Sequence, residues 1–238
     1  MHTLFIFFAA FIFYFFCIVV LIAIVARLEK RMVWAYGELQ PQPHFADTTG
    51  YGAAWVNEAI QNGFTFLGWA PDLKGEKYKV TYALLISPQK DCLAVIGIGY
   101  IFGIPLRGTW LHTLSSDGQH SWYSTDNQAC VEIDISGWRK SQLALSKSFT
   151  DLWKKHQEWT AKKGVKQNGF KPFENLEVFR QFRENHFREM ATRKLICYCN
   201  PEQTHWRYAW FGAIKLSFLN QAIGWLRAFS FGRFPKSA

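Results

Sequence analysis

Cysteine is scarce in this sequence. Its five occurrences (Cys17, Cys92, Cys130, Cys197 and Cys199) follow no framework spacing, which excludes a disulfide-stapled scaffold. No internal period is present, so solenoids and propellers are excluded. Charge is sparse too: 19% of the 238 residues are charged against 49% apolar, a balance that folds. The chain also has no Lys-Ser/Thr phosphate loop, no Gly-x-Ser-x-Gly elbow and no paired Cys-x-x-Cys knuckles. The run Gly97-Ile98-Gly99-Tyr100-Ile101-Phe102 falls short of a dinucleotide turn, because Phe102 stands where the third glycine belongs and Pro105 follows instead of a helix. What the chain has in plenty is aromatic rings: Phe 22, Trp 11 and Tyr 9, or 18%.

The longest uncharged run is Leu4 to Ala26. As a helix it is roughly 34 Å long, enough for a hydrocarbon core of about 30 Å. Met1-His2-Thr3 carries no basic side chain in front of it, and Arg27-Leu28-Glu29-Lys30-Arg31 follows at once, so the pattern predicts a retained anchor and not a cleaved signal peptide. The cations Arg27, Lys30 and Arg31 on the C-terminal flank predict an N-terminus outside and the rest of the chain in the cytoplasm. The expected organisation is an anchor with its basic flank over 1–34, a linker over 35–50, a globular domain over 51–206 and a basic amphipathic tail over 207–238.

Within the domain, Ala53 to Asn62 reads as a short helix ended by Gly63. Strand-like runs follow at Phe64–Leu67, Tyr78–Tyr82 continuing to Ile86, Leu93–Ile98, Thr109–Ser115, Gln119–Thr125 and Ala129–Ile135. The turns Ser87–Asp91 and Ser116-Asp117-Gly118 join neighbours, so six mostly antiparallel strands are expected. Two amphipathic helices come next. Leu145, Phe149, Leu152, Trp153, His156 and Trp159 form one stripe; Phe179, Phe182, His186, Phe187 and Met190 form the other. Strands first and helices second predict an α+β fold, with the N-terminal transmembrane helix followed by a sheet and both helices on one of its faces.

In the tail, Phe211, Ile214, Phe218, Ala222, Trp225, Leu226 and Phe229 share one helical face, with Lys215 intruding and Arg227 opposite. Such a helix either lies in a headgroup region or docks on the domain. Charge is lopsided. From Arg139 onward 19 Lys and Arg meet 7 Asp and Glu, whereas Arg27 to Trp138 has 8 against 11. This points to an anionic partner, and the expected partners are anionic lipid headgroups and other membrane proteins. The expected membrane-contact set is Arg27, Lys30, Arg31, Phe211, Lys215, Phe218, Trp225 and Arg227. Nucleic acid is not expected: Gly99-Tyr100-Ile101-Phe102 lacks the cation and second small residue of the RNA-recognition pattern.

Three constellations could carry chemistry. Cys197-Tyr198-Cys199 with His205 could meet a metal ion if Cys92 or Cys130 supplied a fourth ligand, against the plainer reading of small unreactive thiols. His156 and His186 fall inside apolar stripes of consecutive helices, which suggests a neutral core pair or a metal or proton-transfer site. His112 and His120 flank the Asp-Gly turn near Asp117 and Asp126, as an acid–base site or as polar residues of an exposed face. No cofactor or metal follows from this. The expectation is a non-catalytic interaction or accessory module at the inner membrane face; the alternative is an enzyme acting on a membrane-associated substrate.

Overall fold

The computed structural model describes residues 2–44, 47, 50–73, 78–101, 104–116, 121–127, 135–165 and 171–219. In chain order its elements are α1 (His2–Leu28), β1 (Arg31–Met32), α2 (Tyr51–Gln61), β2 (Thr65–Pro71), β3 (Tyr78–Ile86), β4 (Leu93–Ile101), β5 (Ile104–Leu114), β6 (Trp122–Asp126), β7 (Arg139–Leu143), α3 (Phe149–Lys162), α4 (Leu176–Thr192), β8 (Ile196–Tyr198) and β9 (His205–Tyr208). A helix α5 follows over 210–219. The chain divides into two compact units: residues 1–33, 133–136 and 187–238 form the smaller, residues 34–132 and 137–186 the larger.

The larger unit is an α+β body on a six-stranded mixed sheet of order β2-β3-β4-β5-β6-β7. β3 and β4 pair without a break from Tyr78↔Ile101 to Ile86↔Leu93. Their turn is closed by Ser87, whose hydroxyl donates to Asp91 and accepts from the Cys92 N–H. Because side chains alternate along a strand, a strand buried on both sides is apolar at every position. The centre of this sheet is such a case. Ala83, Leu85, Ala94 and Ile96 face Trp55 and Val56 of α2 and Phe149, Leu152 and Trp153 of α3. Leu84, Ile86, Leu93 and Val95 face Phe173 and, from α4, Phe179 and Phe182. The start of α3 is held twice. The Ser148 hydroxyl accepts from the Asp151 N–H, and the Glu58 carboxylate of α2 accepts from the Phe149 N–H at 2.7 Å. Both satisfy amides that no helix supplies with partners. Residues 35–50, read from sequence as a linker, give backbone pairing to β2 through Gln40↔Trp69.

Three expectations are corrected here. First, the sheet is mixed and includes a strand that the sequence did not suggest: β7 runs parallel to β6, from Trp122↔Arg139 to Asp126↔Leu143. The strand expected at Ala129–Ile135 lies outside the described residues apart from Ile135, and the strand over Arg139–Leu143 has polar residues that hid it. Second, the two amphipathic helices do not share a face. Phe149, Leu152 and Trp153 pack on one side of the sheet, Phe179 and Phe182 on the other.

Third, the transmembrane anchor fails. Among the described residues no helix is long and apolar enough to cross a membrane. The single-pass topology, the outside N-terminus and the cytoplasmic placement built on it therefore lose their support. The helix α1 runs over His2–Leu28. One stripe of it, Val19, Ala23 and Ala26, is moreover taken up by packing within the smaller unit.

That unit contains α1, α5, the end of α4 from Phe187 and the antiparallel sheet β1-β9-β8. Ala23 and Ala26 of α1 meet Val33, Ile196, Trp206, Tyr208, Ala213 and Leu216. Arg27 Nη1 donates to the Tyr208 carbonyl at 2.9 Å, tying α1 to β9.

Gly99 is the backbone position that the sheet tolerates least to change. Its φ is +139°, and a Cβ there would lie 2.0 Å from the Lys79 carbonyl oxygen on β3. We expect Gly99→Ala to lower the unfolding free energy by about 2 kcal/mol or more, since both left-handed strain and a backbone clash must be relieved. Urea denaturation of the two proteins side by side reads the difference.

Candidate functional site

The polar groups of the larger unit collect where β5, β6 and β7 meet α3 on one face and α4 on the other. On the α3 face, the His156 imidazole sits between two threonine hydroxyls, Thr113 Oγ1 at 3.0 Å from Nε2 and Thr125 Oγ1 at 2.7 Å from Nδ1. In a neutral imidazole one nitrogen donates and the other accepts, so this pair of hydroxyls satisfies both. Gln142 of β7 donates to the same Thr125 oxygen at 2.8 Å, and to the Lys155 carbonyl of α3. Burial penalises the charged ring and holds the His156 pKa at about 3.

On the α4 face lies a buried ion pair. Arg139 Nη2 donates to both oxygens of Asp126, at 3.1 and 3.2 Å, and to Ser124 Oγ at 3.0 Å. Ser124 in turn donates to Asp126. The same guanidinium stands 4.9 Å from the Trp122 ring centroid. Trp122 Nε1–H donates to His112 Nδ1 at 3.1 Å, which leaves the neutral ring its proton on Nε2. His112 is stacked on Phe179, their centroids 5.4 Å apart. Its pKa is pushed well below the ordinary histidine value, first by burial and then by the Arg139 and Arg183 cations and His156.

The predicted constellations separate accordingly. His156 and His186 do not meet: His186 packs on Trp138 at 5.2 Å and near Trp122, on the α4 face, with the sheet between it and His156. His112 is enclosed under α4 instead of lying on an exposed face. Asp126 is fully buried against Arg139, while His120 and Asp117 lie outside the described residues. Cys92 is buried in the larger unit, where burial, then the Asp91 charge, pushes its thiol well above the ordinary range; Cys130 lies outside the described residues. Among the described residues no three histidine, cysteine or acidic side chains gather to hold a metal. Sequence reasoning missed Thr113, Thr125, Gln142 and Arg139. Only strand register, which sets Thr125 beside Gln142 and Asp126 two residues from Ser124, brings them together.

Of the membrane-contact set, Trp225 and Arg227 lie outside the described residues. The other six belong to the smaller unit. Lys30 is exposed. Arg27 stands 5.0 Å from the Trp210 ring, and Arg31 pairs with Glu29 and lies over Tyr208 and Trp206. Lys215 Nζ donates to the Ile135 carbonyl at 2.7 Å. Phe211 and Phe218 are 64% and 52% exposed. No match to this chain is found among protein-family models, curated proteins or solved structures, so the site is read on its own geometry.

Two outcomes follow for the buried groups. The unfolded chain binds a proton on His156 near pH 6.5, whereas the folded chain does so only near pH 3. The stabilisation is therefore whole above about pH 6.5 and is lost progressively as pH falls toward 3; the depressed His112 adds with the same sign. Unfolding free energy should fall by about 2 kcal/mol in total between about pH 7 and about pH 5 on account of His156, the slope steepening toward about 1.4 kcal/mol per pH unit at the acid end. His156→Asn should show lower stability and a slope smaller by about one proton. Separately, Asp126→Ala strands the Arg139 cation in the interior and should cost about 3–5 kcal/mol. Asp126→Asn, which keeps an acceptor, should cost less in the same denaturation assay.

Proposed function

We propose that this protein is a non-catalytic interaction module that docks on an anionic lipid surface through the bulky apolar face of its smaller unit. What carries this reading is the orientation of α1 and α5. Helices in water bury their large apolar side chains and expose polar ones. Here both helices do the reverse. They pack inward with small residues and a single leucine: Val19, Ala23 and Ala26 from α1, Gly212, Ala213, Leu216 and Ser217 from α5. Outward they present Phe13, Phe16, Leu21 and Val25 from α1, and Trp210, Phe211, Ile214 and Phe218 from α5. Phe15 and Phe218 are in edge contact at 5.9 Å, which makes the two outward rows neighbours.

Exposed apolar area of this kind marks an interaction surface. The cations beside it favour lipid over an apolar groove: Arg27, Lys30 and Arg31 lie at the C-terminal end of α1 and on the adjoining strand β1, where anionic headgroups would meet them. Support for the non-catalytic part comes from the larger unit, where His112, His156 and Asp126 are enclosed, hydrogen-bonded and unfavourably placed to exchange protons with a substrate.

The test is co-sedimentation of the full chain with vesicles of neutral and of anionic phospholipid. Binding should be stronger to the anionic vesicles and weaken as salt is raised. Replacing Phe211 and Phe218 together by Ser should lower partitioning by about tenfold or more, because each ring contributes roughly 1.5–3 kcal/mol when buried. Equal binding to both vesicle types, or an unaffected double variant that keeps its far-ultraviolet circular dichroism, would remove the proposal.

A further inference from the structure

The β8–β9 hairpin of the smaller unit carries a feature that the docking face does not use. Cys197 lies directly opposite Arg207 in the ladder, and its Sγ–H donates to the Arg207 carbonyl at 3.8 Å. Just beyond β8 the Cys199 N–H donates to the His205 carbonyl at 2.8 Å, so the pairing continues through Cys199. Side chains two apart on a strand point the same way. Cys197 and Cys199 therefore share one face of the hairpin, while Ile196 and Trp206 occupy the buried one. Both thiols are free and half-buried, open to a small reagent. The exposed Arg207, as the cross-strand partner of Cys197, projects from the same face of the hairpin, and the neighbouring Cys197 sulfur raises its pKa above the ordinary arginine value.

We propose that Cys197 and Cys199 form a surface dithiol that exchanges with low-molecular-weight anionic disulfides of the oxidised-glutathione class, closing an internal Cys197–Cys199 bond beside Arg207. In the first step Cys197, its proton given up to water, attacks one sulfur of the disulfide. An S–S bond to Cys197 forms, the reagent's own S–S bond breaks, and one thiolate leaves. In the second step the Cys199 thiolate attacks the Cys197 sulfur, the Cys197–Cys199 bond forms, and the second thiolate leaves. Two protein thiols are oxidised and one disulfide is reduced to two thiols. Arg207 stabilises the negative charge shared by the sulfurs during each exchange and attracts the carboxylates of the reagent.

Strand geometry also decides what kind of bond results. Residues two apart on a strand have Cα atoms about 6.6 Å apart, at the wide end of the range that disulfides span. The closed form is thus strained and easily reduced, which suits a reversible switch and not a staple. Cys92 offers the contrast: buried, with its thiol pushed up, it is inert.

The experiment exposes the full chain to oxidised glutathione, alkylates the remaining thiols and maps the peptides by mass spectrometry. The peptide with Cys197 and Cys199 should lose two hydrogens, carry no glutathione, resist alkylation and recover with dithiothreitol. In Cys199→Ser the glutathione should stay trapped on Cys197. Arg207→Gln should slow closure several-fold with oxidised glutathione and much less with the uncharged hydroxyethyl disulfide. Full alkylation of both cysteines, or two stable glutathione adducts in place of the internal bond, would overturn the dithiol. An unchanged rate in Arg207→Gln would overturn the part assigned to Arg207.

Discussion

Burial of the central sheet on both of its faces governs the larger unit. Once β3 and β4 pair over nine residues, side-chain alternation sends Leu85 and Ala94 one way and Leu84 and Val95 the other, and each set needs its own apolar cover. α2 with α3 supplies one layer; Phe173 with the start of α4 supplies the second. A sheet with helices on one side only would leave Leu84, Ile86, Leu93 and Val95 in water. The three-layer arrangement is the solution that leaves neither set exposed.

That same alternation distributes the polar groups. β5 and β6 carry Thr113 and Thr125 to the α3 face and His112, Ser124 and Asp126 to the α4 face. Each cluster is therefore satisfied within its own layer. His156 is matched by two hydroxyls and stays neutral, whereas Asp126 stays charged because Arg139 arrives on β7 as the parallel neighbour of β6. A buried charge without that neighbour would cost more than the packing around it returns. The sixth strand, polar as it is, belongs to the sheet because it brings Arg139 to Asp126 and Gln142 to Thr125.

The sequence made the hairpins legible where alternation and turn chemistry agree: Ser87–Asp91 falls between two strands whose apolar runs have matching lengths. It left the sheet's last strand illegible, because Arg139–Leu143 has no apolar period and its partner choice is set by hydrogen bonds that a local pattern does not contain. The stripes of α3 and α4 were also readable, but not the layer each would join. A stripe says that a helix face is buried; it does not say against which side of a two-sided sheet. The pairing of His156 with His186 failed for that reason alone. So did the anchor, since apolarity along α1 does not reveal that Val19, Ala23 and Ala26 are committed to protein contacts. The functional reading has the same gap, because enclosed histidines and exposed ones look alike in a sequence.

In the smaller unit, side-chain size decides the matter that hydrophobicity leaves open. α5 approaches the β8 side so closely that a Cβ on Gly212 would lie 1.9 Å from the Leu195 carbonyl oxygen. Only small residues fit at such a separation, so the contact stripe runs Gly212, Ala213, Leu216 and Ser217, with the Ser217 hydroxyl turned back to the Ala213 carbonyl. The large rings of α5 are then excluded from the interior by volume and not by polarity. Their exposure follows from how closely the backbones approach, and a substitution that enlarged residue 212 would act on the outward face by moving the whole helix. The apolar face and the tight inner seam are two sides of one constraint, which is why the face is bulky where the seam is small.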